Sequence, residues 1–347
     1  MTALIPVLTT LVAFAMSIAL FDQWRERRRT YQLAWAIGTL LFGIAAGCEA
    51  LGVANGWTVP LFLAWYLAGA VLNVGWLGLG TAFLLAKTRF GYAYAALLAM
   101  AGLITVATQS KNHYPDVVAL AFGYIAIALI LAIAVGVETY FQNERWPRIA
   151  AIGVIGATVA GVFLVATARL PEGPIALDAH GVPVLDGLPG TLRLLTPFMN
   201  VTGGLGLVLG ALFSAYVFMP KRRVLGYSLD PGQKGDEILF NLLIAPVAMV
   251  VNFVASLPGA AKALVLGRLH SRVPATLLIA LGALLISGTD FGVKGGSTDI
   301  FEFSKLLGIG LIFAGFLIST ETFRELRIPF TQIRLGGTRR EDRPVPG

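Results

Sequence analysis

The chain alternates between long apolar runs and short polar segments that carry most of its charge. Each clear run is about 20 residues long, which is the length that a helix needs to cross the hydrocarbon core of a bilayer. Seven runs predict membrane spans at 3–21, 33–53, 59–86, 91–108, 117–139, 149–169 and 197–218. Three more apolar runs follow at 238–257, 273–288 and 300–320. The pattern therefore predicts an all-α, polytopic integral membrane helix bundle.

Positive charge is distributed unequally between the two sets of loops. The loops after spans one, three, five and seven hold twelve Lys and Arg residues, whereas the opposite loops hold only Lys111, Arg169 and Arg193. Because loops on the cytoplasmic side are enriched in these residues, we predict an outside N-terminus and a cytoplasmic 219–237 loop. The 321–347 segment carries six arginines, and we predict that it is cytoplasmic as well. The predicted location is a bacterial-type cytoplasmic (inner) membrane.

These two cytoplasmic predictions conflict if all three of the last apolar runs cross the membrane. The first of them contains Pro246 and the sequence Ser-Leu-Pro-Gly at 256–259, followed by an amphipathic piece at 260–269. We therefore predict about nine transmembrane helices plus one broken helix in 238–270, which is either re-entrant or interfacial. Ten full spans are the alternative.

The predicted spans divide the chain into four parts. These are a seven-helix bundle at 1–218, a cytoplasmic loop at 219–237, a C-terminal membrane subdomain at 238–320 and a basic cytoplasmic tail at 321–347.

One loop on the predicted outer side, 170–196, is long. Within it, apolar residues alternate on both sides of the turn sequence Asp-Ala-His-Gly at 178–181, which is typical of a short β-hairpin. A two-stranded hairpin is only marginally stable alone, so we expect it to pack against the bundle or a partner. A solvated connector is the alternative.

Composition excludes several protein classes. Of the 347 residues 56% are hydrophobic and 13% charged, and the mean hydropathy is +0.78, which excludes a water-soluble enzyme and a disordered chain. The single cysteine, Cys48, excludes a disulfide, and no histidine lies inside a predicted span. We therefore expect no haem, copper or iron–sulfur cofactor. The net charge of +7 fits a cytoplasmic face that contacts anionic lipid, and we expect no nucleic acid partner.

A charged group inside a membrane span is a candidate functional group, because burying it in lipid is costly. Asp299, Glu302 and Lys305 recur at three-residue spacing and therefore share one helix face. This face predicts either a ligand or ion site near the outer leaflet or a structural ion pair with a lysine that reaches the interface. Three further polar residues in apolar runs are candidate binding residues: Glu49, Asn73 and Asn252.

The segment 303–311 resembles the lysine-bearing segment of the microbial rhodopsins. That family would require an acidic residue on its third helix, where this chain has Asn73, and an aromatic-proline pattern before the lysine helix, where it has 275–288. The number of spans also differs from the family, so we predict that retinal is not bound. Bound lipid or another pigment stays open.

No catalytic motif accompanies these features, so we predict a protein that is not an enzyme. Glycine pairs at 43–47 and 206–210 allow close helix approach, either to protein partners or another copy of the chain, or within the bundle. The first functional hypothesis is a non-catalytic membrane scaffold, accessory subunit or small-ligand-binding bundle that acts with partner proteins. A transporter or channel is the alternative. Residues 1–218 are also similar in topology to seven-span sensory modules, here without an output domain.

Overall fold

The computed structural model describes residues 3–112, 117–168, 175–178, 182–184, 188, 190–227, 237–293, 298–319 and 329–330. Its helices within these ranges are α1 (Leu4–Arg27), α2 (Thr30–Asn55), α3 (Val59–Leu84), α4 (Phe90–Asn112), α5 (Val118–Tyr140), α6 (Trp146–Thr167), α7 (Gly190–Phe218), α8 (Glu237–Val265), α9 (Arg272–Val293) and α10 (Thr298–Ile318). Two short strands, β1 (Ala176–Leu177) and β2 (Pro183–Val184), lie between α6 and α7. The predicted all-α helix bundle is confirmed.

Nine helices in the described part of the chain are long and apolar enough to cross a membrane. They include α8, whereas the apolar part of α9 at 272–287 is shorter. Large apolar side chains are exposed on the outer faces of α5 and α6, for example Ile133 and Ile152. Such faces fit contact with lipid, and the chain is accordingly a multi-pass membrane bundle.

The bundle has two distinguishable ends. At one end the connections after α1, α3, α5 and α7 come together, and a cleft there is lined by residues of 27–31, 83–88 and 214–218. We call this the arginine-rich end. The β-hairpin and the connection between α2 and α3 lie at the opposite end, which we call the hairpin end.

The chain does not cross the bundle between the end of α7 and the start of α9. The side chain of Asn252 in α8 bonds to the backbone of Val224 and Leu225, just after α7. The Arg272 guanidinium, at the start of α9, lies 4.4 Å from the ring centroid of Phe218. Both flanks of this stretch are therefore at the arginine-rich end.

The last helix, α10, runs from the hairpin end to the arginine-rich end. Its Phe316 ring lies 4.5 Å from that of Trp35, near the start of α2. After α10, the backbone N–H of Phe330 donates to Asp22 of α1, so residue 330 lies at the arginine-rich end. These contacts agree with nine crossings, by α1 to α7, α9 and α10, and with no net crossing by α8, although α8 is long enough to cross. They disagree with ten crossings.

The break predicted at 256–259 is wrong, because α8 is continuous from Glu237 to Val265 and contains both Pro246 and Pro258. In apolar surroundings the backbone must satisfy its own hydrogen bonds, which favours a continuous helix and tolerates proline. The chain turns instead after α8, where Gly267 has a φ of +65°.

The two largest of four hydrophobic clusters in the described part of the chain hold most of the helices together. The larger cluster joins α3, α4, α5, α6 and α7 around the fully buried Trp146 and Tyr94. The second joins α1, α2, α3, α7, α9 and α10 around Met16, Ile309 and Phe316. The C-terminal pair α9–α10 therefore packs directly on the N-terminal pair α1–α2, and α7 contributes to both clusters.

Two helices contain a turn of π-helix, which the sequence did not predict. These turns are Tyr66–Leu72 in α3 and Val201–Leu205 in α7. Near them, Gly78 of α3 and Gly203 of α7 are in backbone contact, and a Cβ atom on Gly203 would overlap the carbonyl of Val74. The two helices therefore cross at a distance that only glycine allows.

The predicted β-hairpin is confirmed. Strands β1 and β2 pair antiparallel with Ala176 opposite Val184, and the Asp178 carboxylate accepts a hydrogen bond from the Val182 N–H at 2.9 Å. Ile175 and Leu188, on either side, are buried in the larger cluster. The hairpin thus packs on the bundle, and the alternative of a solvated connector is wrong.

The two glycine pairs predicted from the sequence pack inside the bundle. A Cβ atom on Gly43 would overlap the Phe14 ring of α1, and one on Gly210 would overlap Thr81 of α3. Gly206 faces Tyr94 of α4. Both glycine stretches therefore allow close helix packing within the bundle, which was one of the predicted alternatives.

Candidate functional site: a buried ion triad

Three charged side chains meet between α2 and α10 near the hairpin end. Glu49 lies in the last two turns of α2, and Glu302 and Lys305 lie in the first two turns of α10. Because α2 ends and α10 begins at the same end of the bundle, residues far apart in sequence reach the same depth. We call Glu49, Glu302 and Lys305 the ion triad.

Lys305 is the centre of the triad. Its Nζ atom donates to Oε2 of Glu49 at 2.5 Å and lies 2.6 Å from Oε1 of Glu302. The second contact is an ion pair whose angles do not fit a hydrogen bond. The ammonium group therefore bridges two helices, with a hydrogen bond to one carboxylate and a charge contact to the other.

The triad is shielded from solvent by the packing of the chain. The side chains of Lys305, Glu49 and Glu302 are 13%, 8% and 2% exposed. The Lys305 ammonium also lies 4.2 Å from the centroid of the Phe301 ring, a cation–π geometry that further stabilises the charge. Lys305 therefore pairs with both carboxylates while 13% of its side chain stays exposed.

The charges of the triad do not balance. One ammonium faces two carboxylates, so the ionised triad carries one excess negative charge. In a low-dielectric interior an unbalanced charge is costly, and a proton or a small cation would remove the imbalance. This charge imbalance is the property of the triad that would favour uptake of a proton or a small cation.

The other predicted site residues do not join the triad. Asn73 is buried in α3, where its Oδ1 lacks a hydrogen-bond partner among the described residues. Its backbone carbonyl faces Gly38 of α2, eleven residues before Glu49, which places it about 16 Å away along that helix. Asn73 is therefore an isolated buried amide beside the π-helical turn.

Asn252 has a structural position at the arginine-rich end. Its Oδ1 accepts from the N–H groups of Val224 at 2.7 Å and Leu225 at 2.9 Å, and its Nδ2 donates to the Leu225 carbonyl at 2.8 Å. One turn later Ser256 accepts from the N–H of Arg222 at 2.9 Å. These side chains tie α8 to the backbone that follows α7. The side chain of Asp299 lies outside the described residues.

No protein-family model, curated protein or solved structure gives a significant match to the chain.

Proposed function

We propose that the chain is a non-catalytic membrane scaffold or accessory subunit whose ion triad locks the C-terminal helices onto the N-terminal helices. The observation that carries the proposal is the bridging position of Lys305 between Glu49 of α2 and Glu302 of α10. A buried ion pair of this kind fixes one helix arrangement, because every other register would leave a charge without a partner.

The glycine packing supports the same proposal. In α9 and α10, Gly282 and Gly308 approach so closely that a Cβ atom on either would meet the other's carbonyl. The α9–α10 pair is therefore a tightly packed unit that the triad joins to α2. A bundle fixed in this way suits a protein that positions partners in the membrane.

Purification from native membranes without crosslinking tests the scaffold proposal. An accessory subunit is expected to elute with further proteins at a fixed stoichiometry, and the same proteins should be absent from a mock purification of cells that lack the chain. A lone monomer or homodimer would contradict the proposal.

The unbalanced charge of the triad favours a second candidate, a proton- or cation-coupled transporter. Glu302 is the key residue, because its side chain is 2% exposed and it shares the single Lys305 ammonium with Glu49. Flux of protons or Na⁺ into proteoliposomes would support this candidate if Glu302→Gln folds normally and abolishes the flux. Absence of flux through the wild-type chain under both a proton gradient and a Na⁺ gradient would contradict the transporter candidate and leave the scaffold proposal.

A further inference from the structure

A cleft of about 950 Å³ opens at the arginine-rich end, between the ends of α1, α3 and α7 and the start of α9. It lies at the opposite end of the bundle from the ion triad, and the proposed function does not use it. Five cationic residues line the cleft: Arg27, Arg28, Arg29, Lys87 and Arg272.

The cleft has a strong excess of positive charge. Glu144 is the one carboxylate among its lining residues, and it lies 3.5 Å from Lys87 Nζ. These two side chains are 59% and 79% exposed, so their attraction is weakened by solvent. The first turn of α2 also faces the cleft at Thr30, which adds the positive end of a helix dipole. The cleft is therefore suited to an anionic group.

Part of the cleft wall is apolar, and the Arg272 guanidinium lies over one of its rings, Phe218. Phe83 and Leu84 come from the last turn of α3, and Val217 and Phe218 come from the last turn of α7. These residues belong to the apolar spans, whereas the cations of 27–29 lie where the α1 span ends. Charge at the depth of lipid headgroups thus adjoins an apolar wall at the depth of acyl chains.

We propose that this cleft binds an anionic phospholipid, with the phosphate among the cations and the upper acyl chains against the apolar wall. Basic pockets between transmembrane helices bind the headgroups of anionic lipids in this way. A free phosphate-bearing solute would satisfy the cations and leave the apolar wall exposed to water, so the combination of the two surfaces favours the lipid.

The test measures binding to the purified full-length chain in a neutral detergent. The probes are short-chain phosphatidylglycerol, short-chain phosphatidylcholine and inorganic phosphate, each titrated by calorimetry. Saturable binding of phosphatidylglycerol, with phosphatidylcholine and inorganic phosphate at least tenfold weaker, is expected.

Arg29→Gln combined with Lys87→Gln removes two charges from the cleft and is expected to weaken phosphatidylglycerol binding about thirtyfold. Arg145→Gln combined with Arg148→Gln is the matched control, because it removes two exposed charges from the same end that do not line the cleft. Arg29→Lys with Lys87→Arg keeps the charge and should retain most of the affinity, which separates loss of charge from loss of fold.

Three results would overturn the proposal. Inorganic phosphate binding as tightly as phosphatidylglycerol would show a solute site. An equal loss in the Arg145/Arg148 control would show diffuse attraction to the whole face. Equal binding of phosphatidylglycerol and phosphatidylcholine would show that the cations do not select the ligand.

Discussion

At the scale of single residues, Asn252 shows how one amide can fix a loop at the edge of a membrane bundle. Its side chain, in α8, makes three hydrogen bonds to the backbone of Val224 and Leu225, which follow α7. Asn252 is fully buried whereas Val224 and Leu225 are exposed, so the loss of its side chain removes three hydrogen bonds at the edge of the bundle.

Asn252→Ala is therefore expected to lower the free energy of unfolding by about 1–3 kcal/mol. Thermal unfolding in detergent measures the change. Asn200→Ala is the control, because Asn200 is exposed and its loss should have little effect. Equal stability of the two variants would show that the 224–225 backbone does not depend on Asn252.

The residue scale also shows what the sequence can predict of the site. The pairing of Glu302 with Lys305 follows from their three-residue spacing on one helix face. The contact of Lys305 with Glu49 spans 256 positions in the sequence and depends on how α2 and α10 pack. One signal was available, since Glu49 and Lys305 are opposite charges near the same predicted side of the membrane.

At the scale of elements, α3 and α7 cross in backbone contact, and each contains a π-helical turn near the crossing. Each turn inserts an extra residue into the helix and shifts the face that follows. The apolar runs predicted both helices, although α7 begins at Gly190 and the predicted span began at 197. It could not show the π-helical turns, because an apolar run does not record a local change of hydrogen bonding.

Gly203→Ala is expected to destabilise the protein by about 1–3 kcal/mol, because its Cβ atom would overlap the backbone of Val74. Gly156→Ala in α6 is the matched control, since a Cβ atom there meets nothing within 4 Å. Thermal unfolding of both variants in one detergent makes the comparison. If Gly203→Ala is as stable as the control, the two helices do not cross in backbone contact.

The helix α8 is the element where the prediction was partly wrong. Its lack of a net crossing was predictable from charge parity, but its continuity through two prolines was not. Prolines favour a break in water, whereas surrounding apolar groups favour an unbroken helix.

At the scale of the whole molecule, the order of crossings predicts where each segment lies. Residue 330 and the backbone that follows α7 are at the arginine-rich end, which the positive-inside rule assigns to the cytoplasm. The hairpin lies at the other end.

Cysteines at Ser228, Thr338 and Ala179, each in a Cys48→Ala background, test this arrangement. An impermeant thiol reagent added to intact cells is expected to label the Ala179 position and to leave the other two unlabelled until the cells are opened. Labelling of the Thr338 position from outside would show an odd number of crossings between α7 and the tail.

The most direct test of the ionic lock is the thermal stability of a set of triad variants. Lys305→Met leaves two carboxylates without a cation and is expected to cost about 3–5 kcal/mol. Lys305→Met with Glu302→Leu should recover only part of this loss, because Glu49 still lacks its partner. Adding Glu49→Gln should recover most of it. Equal stability of Lys305→Met and the wild-type chain would contradict the lock.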